Sequence, residues 1–144
     1  MKYEFTGETK TEYGITLRRI KRSDTGEVGG WIESERNLDC SGNAWVYGNA
    51  WVYGDAQVSG NARVYGDARV SLKSEIYQAG PLGSRNATIT AFKCKTGFKV
   101  ATGCFLGTPE EFMLRVLEVH GDNDHARLYR AFIEMAQYIF RSES

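Results

Sequence analysis

A six-residue repeat in the middle of the chain is the feature that most restricts its fold. The unit occurs six times from Gly42 to Tyr77, and its first five copies read GNAWVY, GNAWVY, GDAQVS, GNARVY and GDARVS. A fixed short period indicates one structural unit stacked on itself. Within each copy an Ala stands two positions before a Val, which is the alternation of a strand with one buried face. Gly-Asn or Gly-Asp then tolerates the positive φ of a tight corner.

Counting in sixes extends the repeat to eight hexads, residues 30–77, which we call the repeat segment. This register assigns Ile32, Leu38 and Ser74 to the Ala row and Ser34, Cys40 and Ile76 to the Val row. The pattern resembles the hexapeptide-repeat left-handed β-helix, a triangular prism with three hexads per coil, and the handedness comes from that resemblance. Eight hexads give about 2.7 coils, and the prism would be only about 13 Å tall at normal strand spacing. We therefore expect flanking segments or other subunits to cover its open edges.

Aromatic and charged side chains recur every 18 residues and are expected to stack on the outside of the coils, because Ala and Val occupy the inside. The predicted stacks are Trp45 with Arg63, Trp51 with Glu33 and Arg69, and Tyr47 with Tyr65. Such ladders could simply stabilise the coil through cation-π contacts. Alternatively, a face carrying Trp45, Tyr47, Trp51 and Tyr53 packs against a neighbouring chain, since clustered exposed aromatics mark interfaces. We predict a homo-oligomer, built on a trimer and held partly through this face.

The composition of the chain restricts which partners and which cellular compartment are expected. The chain has 18 basic and 18 acidic side chains among 144 residues, so its net charge gives no argument for duplex nucleic acid or for a membrane surface as a partner. Three cysteines, Cys40, Cys94 and Cys104, show no metal-ligand spacing and suggest a reducing cytoplasm. The sequence contains no apolar run of about 18 residues and no hydrophobic signal region. We expect a cytoplasmic protein without a metal or cofactor.

The segments flanking the repeat have different compositions. Residues 1–29 are predicted to form a β-rich cap, with turns at Asp24–Gly26 and at Gly29–Gly30. Residues 78–83 are predicted to be a linker that carries one of the two prolines. Residues 84–144 are predicted to form the ligand-binding domain. The expected fold class is therefore mainly β, with a short left-handed β-helix followed by a C-terminal α+β piece.

This C-terminal piece is predicted to have the order ββαα. Residues 87–94 and 98–105 read as a hairpin around a Lys-Thr-Gly turn. Thr108, Pro109 and Glu111 then supply an N-cap, a first helical residue and a capping box. The first helix is expected to end near His120 before Gly121. A second helix begins at residue 123 or 124 and is predicted to share one apolar face among Leu128, Phe132, Ile133, Ala136 and Ile139.

Two further resemblances suggest a function. The N-terminal KYEFTGETK, the GGWIE segment at 29–33 and the tandem GNAWVYG units resemble a group of phage and prophage hexapeptide-repeat proteins. In the C-terminal piece, the order GSR, hairpin, GCF, GTPEEF, helix, HGD and a helix with a Tyr resembles a domain of phage proteins that sequester the signalling nucleotides of bacterial immunity, the sponges of the anti-Thoeris and anti-CBASS kind. These resemblances imply a viral accessory protein that works in the cytoplasm of a bacterial host.

The candidate ligand site follows from residue chemistry in the same piece. Ser84, Arg85 and Asn86 follow a Gly and open a strand, so a turn with an Arg fork could hold a phosphate. Phe105 and Tyr129 could stack a base, and His120 could donate a hydrogen bond to the ligand. The plainer alternative is that residues 83–86 are only a turn and that the two rings are only core.

The acidic and histidine residues near the end of the first helix form a separate cluster. His120, Asp122, Asp124 and His125 lie across a helix break, and metal binding needs three or four converging ligands. We interpret Gly121–Asp124 as a C-cap followed by an N-cap.

Three classes of function remain open. The leading expectation is a phage protein that binds and sequesters a cyclic oligonucleotide or a cyclic ADP-ribose derivative without cleaving it. The second is a structural trimeric phage protein without a small ligand. The third is a hexapeptide-repeat acyltransferase, but the repeat segment contains no histidine to serve as a general base. We therefore expect no enzymatic activity, and the sequence does not identify the nucleotide or the number of subunits.

Overall fold

The computed structural model describes residues 2–82, 87–102 and 105–141, and the fold is mainly β with two helices at the C-terminal end. The strands are β1 (Tyr3–Glu12), β2 (Ile15–Arg22), β3 (Val28–Ile32), β4 (Trp45–Val46), β5 (Trp51–Val52), β6 (Arg63–Val64), β7 (Arg69–Val70), β8 (Ile76–Leu82), β9 (Ala87–Lys93), β10 (Phe98–Thr102) and β11 (Phe105–Gly107). The helices are α1 (Pro109–His120) and α2 (Asp124–Arg141), and two short 3₁₀ helices span Glu35–Asn37 and Lys73–Glu75. Of the helices in the described ranges, neither is long and apolar enough to cross a membrane.

The hexad pattern produces parallel strand pairs. β4 pairs with β6 and β5 pairs with β7, in each case joining residues 18 positions apart. The side chains that point inward are the five Ala and five Val residues of the repeat, each at most 1% exposed. Every corner from Gly42 to Gly66 has a glycine with φ between 58° and 74°. The predictions of an Ala and Val interior and of glycine corners are therefore confirmed.

The first turn of the repeat segment is two residues longer than the others, so counting back in sixes gives the wrong register. Ile32 pairs with Val52 and Leu38 pairs with Val58, each 20 residues away, and both belong to the Val row. The 17-residue hydrogen-bond offset typical of the repeat begins only at Asn43, whose N–H donates to Gly60 O. The two extra residues therefore lie in the corner between residues 39 and 43.

This register change has consequences for residues assigned from the sequence. Trp31, and not Glu33, lies beside Trp51. Cys40 is exposed and Ser34 is only partly buried, so neither occupies the interior. At the other end, Ile76 does pack against the repeat core, but Ser74 is exposed because it lies in the second 3₁₀ helix.

Gly29 and Gly30 lie within β3 and do not form the predicted turn. Both are buried where the backbone approaches the next layer closely. A Cβ on Gly29 would come within 2.7 Å of the Trp45 ring, and one on Gly30 within 2.6 Å of Val46 Cγ1. These glycines are therefore required for close packing.

The N-terminal hairpin covers the tryptophans of the first layers. β1 and β2 form an antiparallel pair, and β2 continues the sheet to β3, β5 and β7. Trp45 has no exposed surface, because Tyr3 packs edge-on against it and the Arg22 guanidinium lies 4.3 Å from its ring centroid. The prediction that Trp45 faces a neighbouring chain is wrong, since its own N-terminal segment takes that place. Tyr47 stacks on Tyr65 at 4.2 Å, as predicted, and stays partly exposed.

The C-terminal sheet has four antiparallel strands in the order β11, β10, β9, β8. The predicted β9–β10 hairpin is present, but residues 78–82, assigned to a linker, belong to β8 and pair with β9. Strand β9 also covers the last layer of the repeat: Arg63 N–H donates to Thr90 Oγ1 at 3.2 Å. Leu128 is 48% exposed and does not share the inner face of α2.

Candidate functional site

The structure describes half of the predicted C-terminal site. Ser84, Arg85 and Asn86 lie outside the described residues. Phe105 and Tyr129 both contact Phe112, each with 5.4 Å between ring centroids and an edge-on geometry. Phe112 is itself buried in the core between the sheet and the helices. Phe105 and Tyr129 thus each pack with one edge or face against a core side chain, as in the alternative that the two rings belong to the core.

His120 lies at the end of α1 and takes part in a small group of rings. Its imidazole centroid is 5.8 Å from the Tyr129 ring and 5.4 Å from the His125 ring. His120, His125 and Tyr129 are all partly exposed. This surface can offer hydrogen-bond donors to a ligand.

The residues between the two helices are used for capping and for ion pairs. Asn123 Oδ1 accepts a hydrogen bond from a backbone N–H in the first turn of α2 at 3.0 Å. Asp122 lies 3.6 Å from Arg130, and Asp124 lies 3.9 Å from Arg127. These contacts support the interpretation of this segment as helix caps.

A better-defined cleft lies at the tip of the β1–β2 hairpin. Three segments that are distant in sequence enclose a cleft of about 620 Å³ that opens to solvent on one side. Its lining residues are Glu12, Tyr13, Ile15, Leu17, Trp51, Tyr53, Arg69, Lys93, Cys94 and Lys95. This volume is within the range of pockets for small ligands, about 300–1,000 Å³. We call it the hairpin cleft.

The first wall is the tip of the hairpin, which extends past the rest of the sheet. Pairing between β2 and β3 stops at Arg18, so the hairpin residues beyond it have no strand from the repeat beside them. Tyr13 and Gly14 turn the chain with φ of 52° and 79°. Tyr13 is 94% exposed, whereas Leu17 in β2 is buried. The overhang thus places one free aromatic ring at the rim of the cleft.

The second wall belongs to the repeat. The guanidinium carbon of Arg69 lies 3.8 Å from the Trp51 ring centroid, a close cation-π contact. Arg69 Nη1 also donates to the carbonyl oxygens of Ala68 at 2.8 Å and Asn49 at 3.3 Å. The arginine is therefore held in one position, and the partly buried Tyr53 lies in the same wall.

The third wall is the turn between β9 and β10. Lys93 Nζ lies 3.0 Å from the buried carboxylate of Glu75. Cys94 is buried, and this burial, with a smaller contribution from the negative charge of Asp67, raises the pKa of its thiol to about 12. A thiol with that pKa is not a nucleophile near neutral pH. Lys95 is exposed at the cleft edge, so the lining combines three cations with one carboxylate.

Sequence reasoning missed the hairpin cleft, although it identified parts of it. The 18-residue spacing correctly placed Arg69 against Trp51. The sequence pattern assigns Lys93 and Cys94 only to the end of a hairpin strand, and Lys95 only to the turn that follows. No local pattern indicates that the hairpin tip, the repeat and this turn meet, because the meeting depends on the length of the overhang.

Comparison with known proteins gives one short match. A family model described as the YdcK beta solenoid repeat matches residues 56–72. No curated protein and no solved structure matches the chain. The matched residues contain the last regular hexads, so the chain has a stretch similar to the repeat of a β-solenoid.

Proposed function

We propose that this protein binds a phosphate-bearing ligand with a planar base in the hairpin cleft and holds it without converting it. The observation that carries the proposal is the Arg69–Trp51 stack beside Lys95 within one cleft of small-ligand size. Phosphate groups form strong charge-assisted hydrogen bonds with Arg and Lys. Aromatic rings stack on any base, and Tyr13 and Tyr53 both line the cleft. A nucleotide uses both kinds of contact.

Sequestration is the form of binding that the lining chemistry supports best. The described residues that line the cleft include no histidine, and the Cys94 thiol stays protonated near neutral pH. General acid and base catalysis requires a positioned group that exchanges protons near the working pH. Together with the resemblance to phage sponges, this supports a phage protein that removes a cyclic immune nucleotide from the cytoplasm of a bacterial host.

The repeat segment then has the role of a platform. We propose that it is a short left-handed β-helix whose two ends are covered by the hairpin and by β9. The parallel pairs at 18-residue spacing and the similarity to a β-solenoid repeat support this assignment. A rigid platform helps binding because it fixes Arg69 and Trp51 before the ligand arrives.

A structural role in an assembly is the second candidate, and one observation favours it. Leu114 and Leu117 on α1 are 62% and 61% exposed and line an apolar groove that ends at Arg130. Exposed apolar surface of this kind is typical of contact sites between chains. A homo-oligomer would therefore use this groove or the partly exposed Tyr47 and Tyr53, and Trp45 is excluded by its burial.

Isothermal titration calorimetry tests the proposal. The panel contains cyclic di- and trinucleotides, cyclic ADP-ribose isomers and coenzyme A. We expect one class of nucleotide to bind, and mass spectrometry to recover it unchanged. Lys95→Ala should weaken binding by roughly ten- to a hundredfold, the equivalent of about 1.5–3 kcal/mol for a hydrogen bond to a charged group. Lys73→Ala, an exposed lysine outside the cleft, is the matched control.

Each failure has a distinct meaning. Absence of binding by every nucleotide rejects the proposed function and leaves the structural role as the better account. Binding that Lys95→Ala and Lys73→Ala weaken equally places the ligand elsewhere. Recovery of a cleaved or acylated product contradicts sequestration.

A further inference from the structure

Among the described residues that line the hairpin cleft, Glu12 is the only carboxylate, and Arg69, Lys93 and Lys95 line the same cleft. It is the last residue of β1, and its pairing with Ile15 closes the hairpin just before the Tyr13–Gly14 turn. Its side chain is partly buried. Within the described ranges, the Glu12 carboxylate has no partner at ion-pair or side-chain hydrogen-bond distance, although its charge acts on Arg69 and Lys95 lines the same cleft. An ionised carboxylate at this place has acceptor capacity to spare.

We propose that Glu12 reads the base of the bound ligand and makes the cleft selective for guanine over adenine. This inference rests on the proposed function and concerns the same site. A carboxylate accepts hydrogen bonds and donates none. The Watson–Crick edge of guanine presents two adjacent donors, N1–H and N2–H, which match the two oxygens of one carboxylate. The corresponding edge of adenine presents one donor beside the acceptor N1.

The distribution of charge gives the ligand a direction in the cleft. Phosphate oxygens are repelled by Glu12 and attracted by the cations of the other two walls. Because the Glu12 charge already acts on Arg69, the phosphate binds towards Lys95 in the β9–β10 turn, and the base binds towards the hairpin tip. At the tip, Tyr13 offers an exposed ring on which the base can stack while its edge reaches Glu12.

Selectivity follows from the cost of an unmatched polar edge. When guanine binds, both carboxylate oxygens gain donors in place of water. When adenine binds, one carboxylate oxygen faces the acceptor N1, and neither group is satisfied. A site built around a hydrogen bond discriminates well against a ligand that lacks the donor.

The test compares cyclic di-GMP with cyclic di-AMP on the full chain and on two variants. Glu12→Gln retains size but replaces one acceptor oxygen by an NH₂ donor, and Glu8→Gln, an exposed residue of β1 outside the cleft, is the matched control. We expect the wild type and the Glu8→Gln variant to bind cyclic di-GMP at least tenfold more tightly than cyclic di-AMP. In the Glu12→Gln variant the preference should fall to about threefold or less, mostly through weaker binding of cyclic di-GMP. The melting temperature of each variant shows that it is folded.

The outcomes separate this inference from the function on which it rests. Equal affinities for the two ligands in the wild type, or a preference that Glu12→Gln leaves unchanged, overturns the assignment of Glu12 and keeps nucleotide binding intact. If neither ligand binds while another nucleotide of the calorimetry panel does, the preference for guanine is wrong. If no nucleotide binds at all, the proposed function fails with it.

Discussion

Glu75 offers the sharpest test of how the repeat and the C-terminal sheet are held together. It is the least exposed charged side chain of the described residues, at 2%. Its Oε1 accepts hydrogen bonds from the backbone N–H groups of Ser71 at 2.7 Å and Leu72 at 2.9 Å. Its Oε2 lies 3.0 Å from Lys93 Nζ on β9. One carboxylate thus satisfies the end of the repeat and anchors the sheet that covers it.

Replacing Glu75 by Ala removes these contacts at once, together with the hydrogen bond that Ser71 Oγ donates to Glu75 Oε1 at 3.2 Å. Two part-buried backbone N–H groups lose their acceptor, at a cost of about 1–3 kcal/mol for each polar group left unsatisfied. Lys93, whose side chain is 36% exposed, loses its ion pair with Glu75, which adds less because the ammonium group can be solvated. Glu75→Gln keeps one acceptor oxygen and the shape of the side chain, so we expect a smaller cost of about 1–2 kcal/mol for that variant.

Urea unfolding followed by tryptophan fluorescence measures these differences. Trp31 and Trp45 are buried and Trp51 is partly buried, so unfolding changes the environment of every tryptophan in the chain. Glu118→Ala, at an exposed position on α1, is the control and should change the free energy of unfolding by no more than about 0.5 kcal/mol. If the free energy of unfolding of the Glu75→Ala variant falls by less than about 1 kcal/mol, the reasoning is refuted, because loss of a buried carboxylate with these contacts is expected to cost more.

Three further predictions follow from the same structure. Burial alone would raise the pKa of Glu75, but the backbone donors and Lys93 outweigh burial and lower the pKa below the ordinary 4.5. The stability that the ionised Glu75 contributes should therefore be fully present above pH 4.5 and be lost as the pH falls through the pKa of the folded state. Acid unfolding titrations of the wild type and the Glu75→Gln variant measure this difference. Trp45→Ala should cost about 3–5 kcal/mol without changing the mass seen by sedimentation, because the indole is buried within one chain; a lower mass would restore it to an interface. Gly54→Ala should destabilise more than Gly48→Ala, because both have φ of 58° but only at Gly54 would the new Cβ lie 2.7 Å from a backbone oxygen, and equal melting temperatures would contradict this.

Local sequence patterns correctly predicted those structural elements that depend only on neighbouring residues. The Ala and Val rows follow from alternation, and α1 begins where Thr108 and Glu111 form the predicted capping box, with Thr108 N–H donating to Glu111 Oε1 at 2.8 Å. Counting in sixes failed at the first layer, because a corner can lengthen without changing the residues on either side. The sequence does contain a signal for this insertion, since Trp-Ile at 31–32 matches Trp-Val at 51–52 only with two extra residues.

Features that depend on contacts between distant segments were not predictable in the same way. The repeat pattern correctly predicts that Trp45 points outward from its coil. The pattern does not indicate that Tyr3 and Arg22 cover the Trp45 ring. The hairpin cleft is a stronger case, because Glu12 and Lys95 are 83 positions apart in the sequence. Periodicity identifies which residues share a row and does not identify which flanking segment folds over that row.

Amide hydrogen exchange with and without cyclic di-GMP tests the central claim most directly, because it reports the whole chain in one experiment. A ligand in the hairpin cleft should slow exchange at residues 12–17 and 93–97, where the hairpin tip and the β9–β10 turn form two of its walls, and should leave α2 unchanged. Protection confined to residues 105–129 would contradict this account and return the ligand to the site first predicted around Phe105 and Tyr129.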